Sequence, residues 1–230
     1  MTEIKICVID TSALTEADFY MHALEHVSDT RRKKADSLRN ENDKRLCIGA
    51  ALALDILLAP LGYSERSIEI GRNEYGMPYT NIEDLHLSIS HSGKYAACAI
   101  SECPCGIDIE SVLKTDNSSA LKIAKRFFHE NEYGRLSCCN NGLEREFCTV
   151  WTARESYMKL TGRGFTEPRN SFKSSSDGQS VITSDGLSLP LKSYDLGDYI
   201  LSACSRDPET VFPETVIPIT DKKSILAVKA

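Results

Sequence analysis

Lys94-Tyr-Ala-Ala-Cys-Ala-Ile-Ser101 and Asp198-Tyr-Ile-Leu-Ser-Ala-Cys-Ser205 read as two copies of one short apolar strand, and their recurrence decides the fold. Each follows a long helical segment that carries a cysteine near its start, Cys47 in one case and Cys148 in the other. Chance similarity between two short apolar strands is the plain alternative. A duplicated α+β unit of about 100 residues accounts for strand, helix and spacing together. On that reading the chain is α+β and consists of two similar halves, residues 1–104 and 105–230, each a small antiparallel sheet packed on a long helix. The ligand then belongs in the cleft between them.

The neighbouring segments fit this scheme. Ile4 to Asp10 alternates in strand fashion. Leu85-His-Leu-Ser-Ile-Ser90 places Leu85, Leu87 and Ile89 on one face and His86, Ser88 and Ser90 on the other, and His91-Ser-Gly-Lys94 turns it into the strand from Tyr95 to Ser101. Residues 31–62 read as a helix with a basic entrance (Arg31, Arg32, Lys33, Lys34, Arg39, Lys44, Arg45) that ends at Gly62. Ser118 and Ser119 are suited to cap a helix running through Phe127, and Glu144 to Thr161 forms another. Pro168 to Gly186, rich in Ser, Gly and Lys, reads mostly as loop.

Composition narrows the function classes. The 230 residues carry 27 Lys+Arg against 33 Asp+Glu, a formal charge of −6, and are 41% hydrophobic. That is the composition of a soluble globular protein, and an acidic balance argues against general nucleic-acid binding, which depends on clustered cations. No apolar run approaches the ~20 residues that span a bilayer, so no membrane association is expected. The amino-terminal stretch reads as a strand without a basic and apolar signal-like segment, so a cytoplasmic location is expected. Nine cysteines suit that reducing compartment; five of them (Cys7, Cys47, Cys98, Cys148, Cys204) sit singly in apolar segments, and the pairs Cys103/Cys105 and Cys138/Cys139 lack the usual zinc spacing.

Three features can carry chemistry. In Gly106-Ile-Asp-Ile-Glu110 the two carboxylates share a strand face at a repeat of about 7 Å, as a solvated face would have them or as a hard divalent cation would. Trp151, Glu155 and Lys159 form one helical stripe, either a core tryptophan beside an i, i+4 ion pair or an acid and a base beside a ligand. Ser90-His91-Ser92 at the hairpin turn suits ordinary turn chemistry or a phosphate.

In chain order, the basic cluster, Tyr75-Gly-Met-Pro78, Ser88-Ile-Ser-His-Ser92, Gly106-Ile-Asp-Ile-Glu110, Arg126-Phe-Phe with Glu132, and Trp151-Thr-Ala-Arg-Glu-Ser-Tyr-Met-Lys-Leu-Thr-Gly-Arg-Gly-Phe165 closely resemble the 4′-phosphopantetheinyl transferases of the Sfp type. The resemblance extends over about residues 1–205. It implies a Mg²⁺-dependent enzyme, monomeric and built of two similar halves, that moves the phosphopantetheine arm of coenzyme A to a serine of an apo acyl or peptidyl carrier protein and releases adenosine 3′,5′-bisphosphate. By position it makes Asp108, Glu110 and Glu155 the metal ligands, Glu155 or a metal-bound water the base, with Glu132 a further candidate, and Lys159 the group that stabilises the leaving phosphate. It places Ser90, His91 and Lys159 on the coenzyme A phosphates, Lys33 and Arg45 on its 3′-phosphate, and Tyr75, Gly76 and Pro78 along the adenine, with Phe165 facing the carrier. The sequence departs from the family at Met77, where Lys is usual, at Arg154, where many relatives have Lys, and at Ser88, commonly Asn; the loss at Met77 implies weaker coenzyme A binding unless Arg72 or Lys94 replaces it. A Mg²⁺-dependent nucleotide or pyrophosphate hydrolase and a non-catalytic carrier-binding paralogue are the competing functions, the first needing no carrier surface and the second no intact Asp108, Glu110, Glu155 and Lys159.

Overall fold

Both copies of the repeated strand are central strands in the computed structural model, which describes residues 2–112 and 116–226. Residue 1 and residues 227–230, the outer ends of the two expected halves, lie outside the described residues. The first half contains β1 (Ile4–Asp10), α1 (Ala17–Glu25), α2 (Asp29–Ser37), α3 (Glu41–Leu58), the short hairpin β2 (Ile70–Arg72) and β3 (Pro78–Thr80), and the hairpin β4 (His86–Ser92) and β5 (Tyr95–Ser101). The second contains β6 (Cys105–Ser111), α4 (Asn117–Phe127), α5 (Glu130–Ser137), α6 (Leu143–Thr161), β7 (Phe172–Ser174), β8 (Ser180–Thr183), β9 (Ser188–Asp195), β10 (Tyr199–Ser205) and α7 (Lys222–Ile225). The first sheet has the order β1-β5-β4 and the second β6-β10-β9-β8-β7, all antiparallel, so β1, β5 and β4 correspond to β6, β10 and β9. The expected architecture of two similar antiparallel sheets, each on a long helix, is the one found.

Alternation along the strands builds two cores. Cys7, Ile9, Leu87, Cys98 and Ile100 face the buried stripe of α3, which includes Ile48, Ala51, Leu52 and Leu58. Ile4, Val8, Ala97 and Ala99 on the opposite face of that sheet pack against Ile107, Ile109, Leu201 and Ala203 of the second. The two sheets therefore meet through small and β-branched side chains.

Some elements differ from their sequence reading. Residues 31–62 form two helices rather than one, because Leu38 is extended and Asn40 caps α3 by accepting from the N–H of Asn42. The cap of α4 is Asp116, whose carboxylate accepts from the N–H groups of both Ser118 and Ser119. The segment 168–186 contains β7 and β8, which extend the second sheet beyond the duplicated core. The chain end does not stay with the second half: Val211 and Ile219 pair with Glu3 and Ile9, and Ile225 enters the first core. Lys192 and Tyr194 of β9 both donate to the carbonyl of Pro213, tying this strap down over the otherwise open edge of β1.

Where β6 meets the first sheet there is no backbone ladder. The N–H groups of Ile107, Ile109 and Ser111 instead donate to the hydroxyls of Ser88, Ser90 and Ser92 on β4, at 3.0, 3.3 and 3.2 Å. Each serine in this seam is directly opposite a small or aromatic residue of β5 (Ala99, Ala97, Tyr95), so the serine face of β4 is the inner face of the molecule.

On its other side β6 lies hard against α6. A Cβ added at Gly106 would stand 1.9 Å from the carbonyl oxygen of Ser156 and 2.6 Å from the N of Leu160, both backbone atoms that cannot swing aside. Gly106→Ala is expected to destabilise the protein by about 1–3 kcal/mol in urea unfolding, the ordinary cost of overpacking. Gly134, in α5 with open space around it, provides the contrast: Gly134→Ala should stabilise by about 0.4–1 kcal/mol.

Candidate active site

Ile107 and Ile109 are fixed in the inter-sheet core, so the alternation of β6 turns Asp108 and Glu110 the other way, toward α6. The close approach at Gly106 brings Glu155 and Lys159 down on them, and α6 ends just beyond, at Gly162 in the left-handed conformation (φ +71°). Lys159 does not pair with Glu155 one turn back. Its ammonium donates to Asp108 Oδ1 at 2.7 Å and to Ser90 Oγ at 2.8 Å, so one side chain of the second half holds a residue from each half. Ser90 in turn donates to the same Asp108 oxygen at 2.6 Å. Trp151, on the same stripe, belongs to an aromatic group with Phe127, Phe128, Phe147 and Phe165.

Crowding of buried carboxylates dominates the electrostatics. Burial pushes the Asp108 carboxyl upward, with Lys159 pulling it back. Burial, then the charges of Asp108 and Glu110, push Glu155 up to about 7 despite the nearby Lys159. Asp108 Oδ2 is buried with no hydrogen-bond partner, an acceptor left without a cation or donor. Among the described residues no three Asp, Glu, His or Cys side chains already stand together as a metal-holding group; Lys159 occupies Asp108 Oδ1, and Ser92 donates to Glu110 Oε2 at 2.6 Å. The orphaned oxygen and the proton affinity of Glu155 nevertheless fit a hard divalent cation of the Mg²⁺ type, which prefers carboxylate oxygens.

These residues line a cavity of about 570 Å³ between the halves. Of the sequence-derived site residues, Gly76, Pro78, Ser90, His91, Asp108, Glu110, Glu155 and Lys159 are all on its wall, while Lys33, Arg45 and Tyr75 are not. Lys33 is exposed on α2, Arg45 sits on α3 beside the lining residues Asp43 and Cys47, and Tyr75 is at the exposed tip of the β2–β3 hairpin. The cations that do line the cavity are Arg31 and Lys34, with Arg72 and Lys159. Arg31 and Lys34 share a helical face at i, i+3, a signal present in the sequence once α2 is started at its Ser28 cap. Arg31 is held by Glu65 at 3.2 Å, whereas burial and the charges of Arg31 and Arg72 lower Lys34. Burial, with Lys159 and Lys34, likewise holds His91 below the ordinary imidazole range. At this end of the cavity the carboxylate of Asp43 stands among Arg31, Lys34 and Arg72. Of the two candidates to replace a lysine at position 77, Arg72 lines the cavity and Lys94 is paired with Asp10 at 2.7 Å.

Glu132 is buried away from the cleft lining. Its carboxylate accepts from Ser174 N and Oγ, from His129 N and from Arg154 Nη1, and so ties α5, α6 and β7 together. Arg154 also stacks on Phe172, 4.1 Å from the ring centroid. A larger open groove of about 840 Å³ at the far end of the first sheet, past Lys5, Tyr63 and Glu102, contains none of the site residues.

Comparison with known proteins agrees with this geometry. A family model described as the 4′-phosphopantetheinyl transferase superfamily matches residues 104–204. The 4′-phosphopantetheinyl transferase gsp of Aneurinibacillus migulanus is 38% identical over 166 residues, covering 70% of this chain and 68% of that protein. The 4′-phosphopantetheinyl transferase Sfp of Bacillus subtilis (strain 168) is 31% identical over 202 residues, covering 84% of this chain and 88% of that protein. A second Bacillus subtilis 4′-phosphopantetheinyl transferase is 32% identical over 191 residues, 80% of this chain and 84% of its own.

Glu155 makes stability depend on pH. Between about pH 4.3, where an unfolded glutamate titrates, and pH 7 the folded chain holds a proton that the unfolded chain has released, so the contribution of Glu155 falls as pH rises through that window. Without divalent metal, Glu155→Gln is expected to raise stability by about 1–3 kcal/mol at pH 8 and to change it little at pH 4.5, as read by urea unfolding at both pH values.

Proposed function

The chain belongs to the 4′-phosphopantetheinyl transferase superfamily, and from that membership we propose how its cleft transfers the phosphopantetheine arm of coenzyme A to a serine of an apo acyl or peptidyl carrier protein. The observation that carries the proposal is Lys159 bridging Ser90 and Asp108 across the cleft, with Asp108 Oδ2 buried and without a hydrogen-bond partner beside them.

Coenzyme A enters with its phosphates toward the cations. Lys34, Arg72 and His91 face the 3′-phosphate, with Lys33 and Arg45 extending positive charge around the entrance, while Tyr75, Gly76 and Pro78 lie along the adenine. Lys159 and Ser90 are directed at the pyrophosphate. Asp108, Glu110 and Glu155 would hold Mg²⁺, which when bound neutralises charge on the pyrophosphate. The carrier serine oxygen attacks the phosphorus that bears the pantetheine arm. Its proton passes to Glu155, the pyrophosphate P–O bond breaks, and adenosine 3′,5′-bisphosphate leaves with its new phosphate charge facing Lys159. Such transfers depend on alignment and fixed charge more than on covalent help from the protein.

The carrier docks at the other side of Glu155. Phe165 is 64% exposed and lies within 6.2 Å of Phe127 and Trp151, ring centroid to centroid. The hollow they form is also lined by Arg126, Arg169, Glu155 and Glu167, with Arg154 buried behind it against Glu132. An apolar surface with Arg126 and Arg169 at its margin suits an acidic carrier helix in spite of the net charge of −6. One copy of the chain supplies both walls of the cavity, which supports a monomeric active form. Nine free thiols suit the cytoplasm; among the described residues no helix is long and apolar enough to cross a membrane.

Intact-mass spectrometry of apo carriers incubated with coenzyme A and Mg²⁺ tests the proposal. The expected result is a gain of one phosphopantetheine by at least one carrier class, abolished by chelation and reduced at least ~10²-fold by Glu155→Gln, as loss of a general base does. No gain with any class would refute it, and breakdown of coenzyme A without a carrier would favour the hydrolase.

A further inference from the structure

The β2–β3 hairpin reaches from the first half to the carboxyl end of α6. Its base belongs to the first half: Ile70 packs on that core, and Thr80 Oγ1 donates to the carbonyls of Ile82 and Leu85. Its tip crosses the cleft. Asn73 Nδ2 donates to the carbonyl of Gly162, the residue that terminates α6, at 2.9 Å. Among the described residues this is the only hydrogen bond between the hairpin and the second half.

The same side chain organises the turn. Asn73 Oδ1 accepts from the N–H groups of Tyr75 and Met77, both at 2.9 Å. The amide orientation follows from its partners, since two N–H groups demand the oxygen and a carbonyl demands the nitrogen. Arg72, Gly76, Met77 and Pro78, the residues around this turn, form the wall of the cavity, which Lys159 also lines. One planar group thus sets the turn and fixes its distance from the helix that carries Glu155 and Lys159.

We infer that Asn73 is a positioning residue for coenzyme A, latching the hairpin that contacts the coenzyme onto the carboxyl end of α6 so that the cavity is preformed before the coenzyme arrives. The inference rests on the proposed transferase function and adds to it a residue that touches neither the reacting atoms nor the metal. A preformed wall spares the coenzyme the cost of ordering the hairpin, so the latch acts on coenzyme binding and leaves the chemical step alone.

Asn73→Asp separates the two roles of the side chain, because a carboxylate keeps the oxygen that accepts from Tyr75 and Met77 and loses the donor to Gly162. In the full-length protein, the dissociation constant and KM for coenzyme A are expected to rise about three- to tenfold, the worth of one hydrogen bond, with kcat and the carrier KM unchanged. Hydrogen exchange of the amides in residues 70–80 should accelerate in the coenzyme-free variant, and Asn73→Ala, which also loses the turn, should show at least as large an effect on both readings. Unchanged coenzyme affinity, a fall in kcat alone, or weaker affinity without faster exchange, which would assign the effect to the added charge, would each overturn the latch. An unsubstituted protein inactive on every carrier would instead count against the transferase reading and is scored separately, since coenzyme binding and exchange are measured without a carrier.

Discussion

N–H groups on the edge of a buried strand must find acceptors, and in this protein the acceptors for β6 are three serine hydroxyls on β4. A hydroxyl that accepts a backbone N–H still has its own proton to give. Ser90 and Ser92 give theirs to Asp108 and Glu110, the two carboxylates that β6 turns toward α6. The contact that joins the two halves is therefore also the contact that aims the site. A continuous backbone ladder would have joined the sheets equally well but offered the carboxylates nothing.

The rest of the cleft follows from bringing α6 close to that seam. Gly106 permits the approach, which sets Lys159 on Asp108 and Ser90 and crowds Glu155 against two carboxylates. Negative charge gathers on this side, and the cations Lys34 and Arg72, with His91, gather on the other. Net charge says little about such a site, because opposite charges are partitioned between two walls less than one ligand apart. A substrate with phosphates at one end and a metal-binding pyrophosphate in the middle fits that partition.

Much of this was legible in the sequence. The repeated strands at 94–101 and 198–205 occupy the same central place in each sheet, and the alternation at 106–110 gave the two carboxylates a common face, which they have. The sequence offers turn chemistry or a phosphate for Ser90 and Ser92, because a polar alternating face looks the same whether it meets water or another strand's edge. Lys33 and Arg45 follow from the family resemblance alone, whereas the helix that starts after Ser28 puts Arg31 and Lys34 on the cavity face. The strap from Val211 to Ile225 left no periodic signal, being held by isolated bridges and two bonds to one carbonyl. Long-range contacts of that kind leave no trace in local pattern.

If the serine seam positions Asp108 and Lys159 for the proposed transfer, the single-turnover transfer rate of Ser90→Ala shows it most directly. This substitution keeps the size of a small inner-face residue and removes the hydroxyl that joins Ile109, Asp108 and Lys159. With the variant folded by circular dichroism and saturated with coenzyme A, the rate is expected to fall about 10- to 100-fold, as when groups that orient first ligands are lost. A rate within about twofold of the unsubstituted protein would show that Asp108 and Lys159 are held without the seam, and would contradict the account.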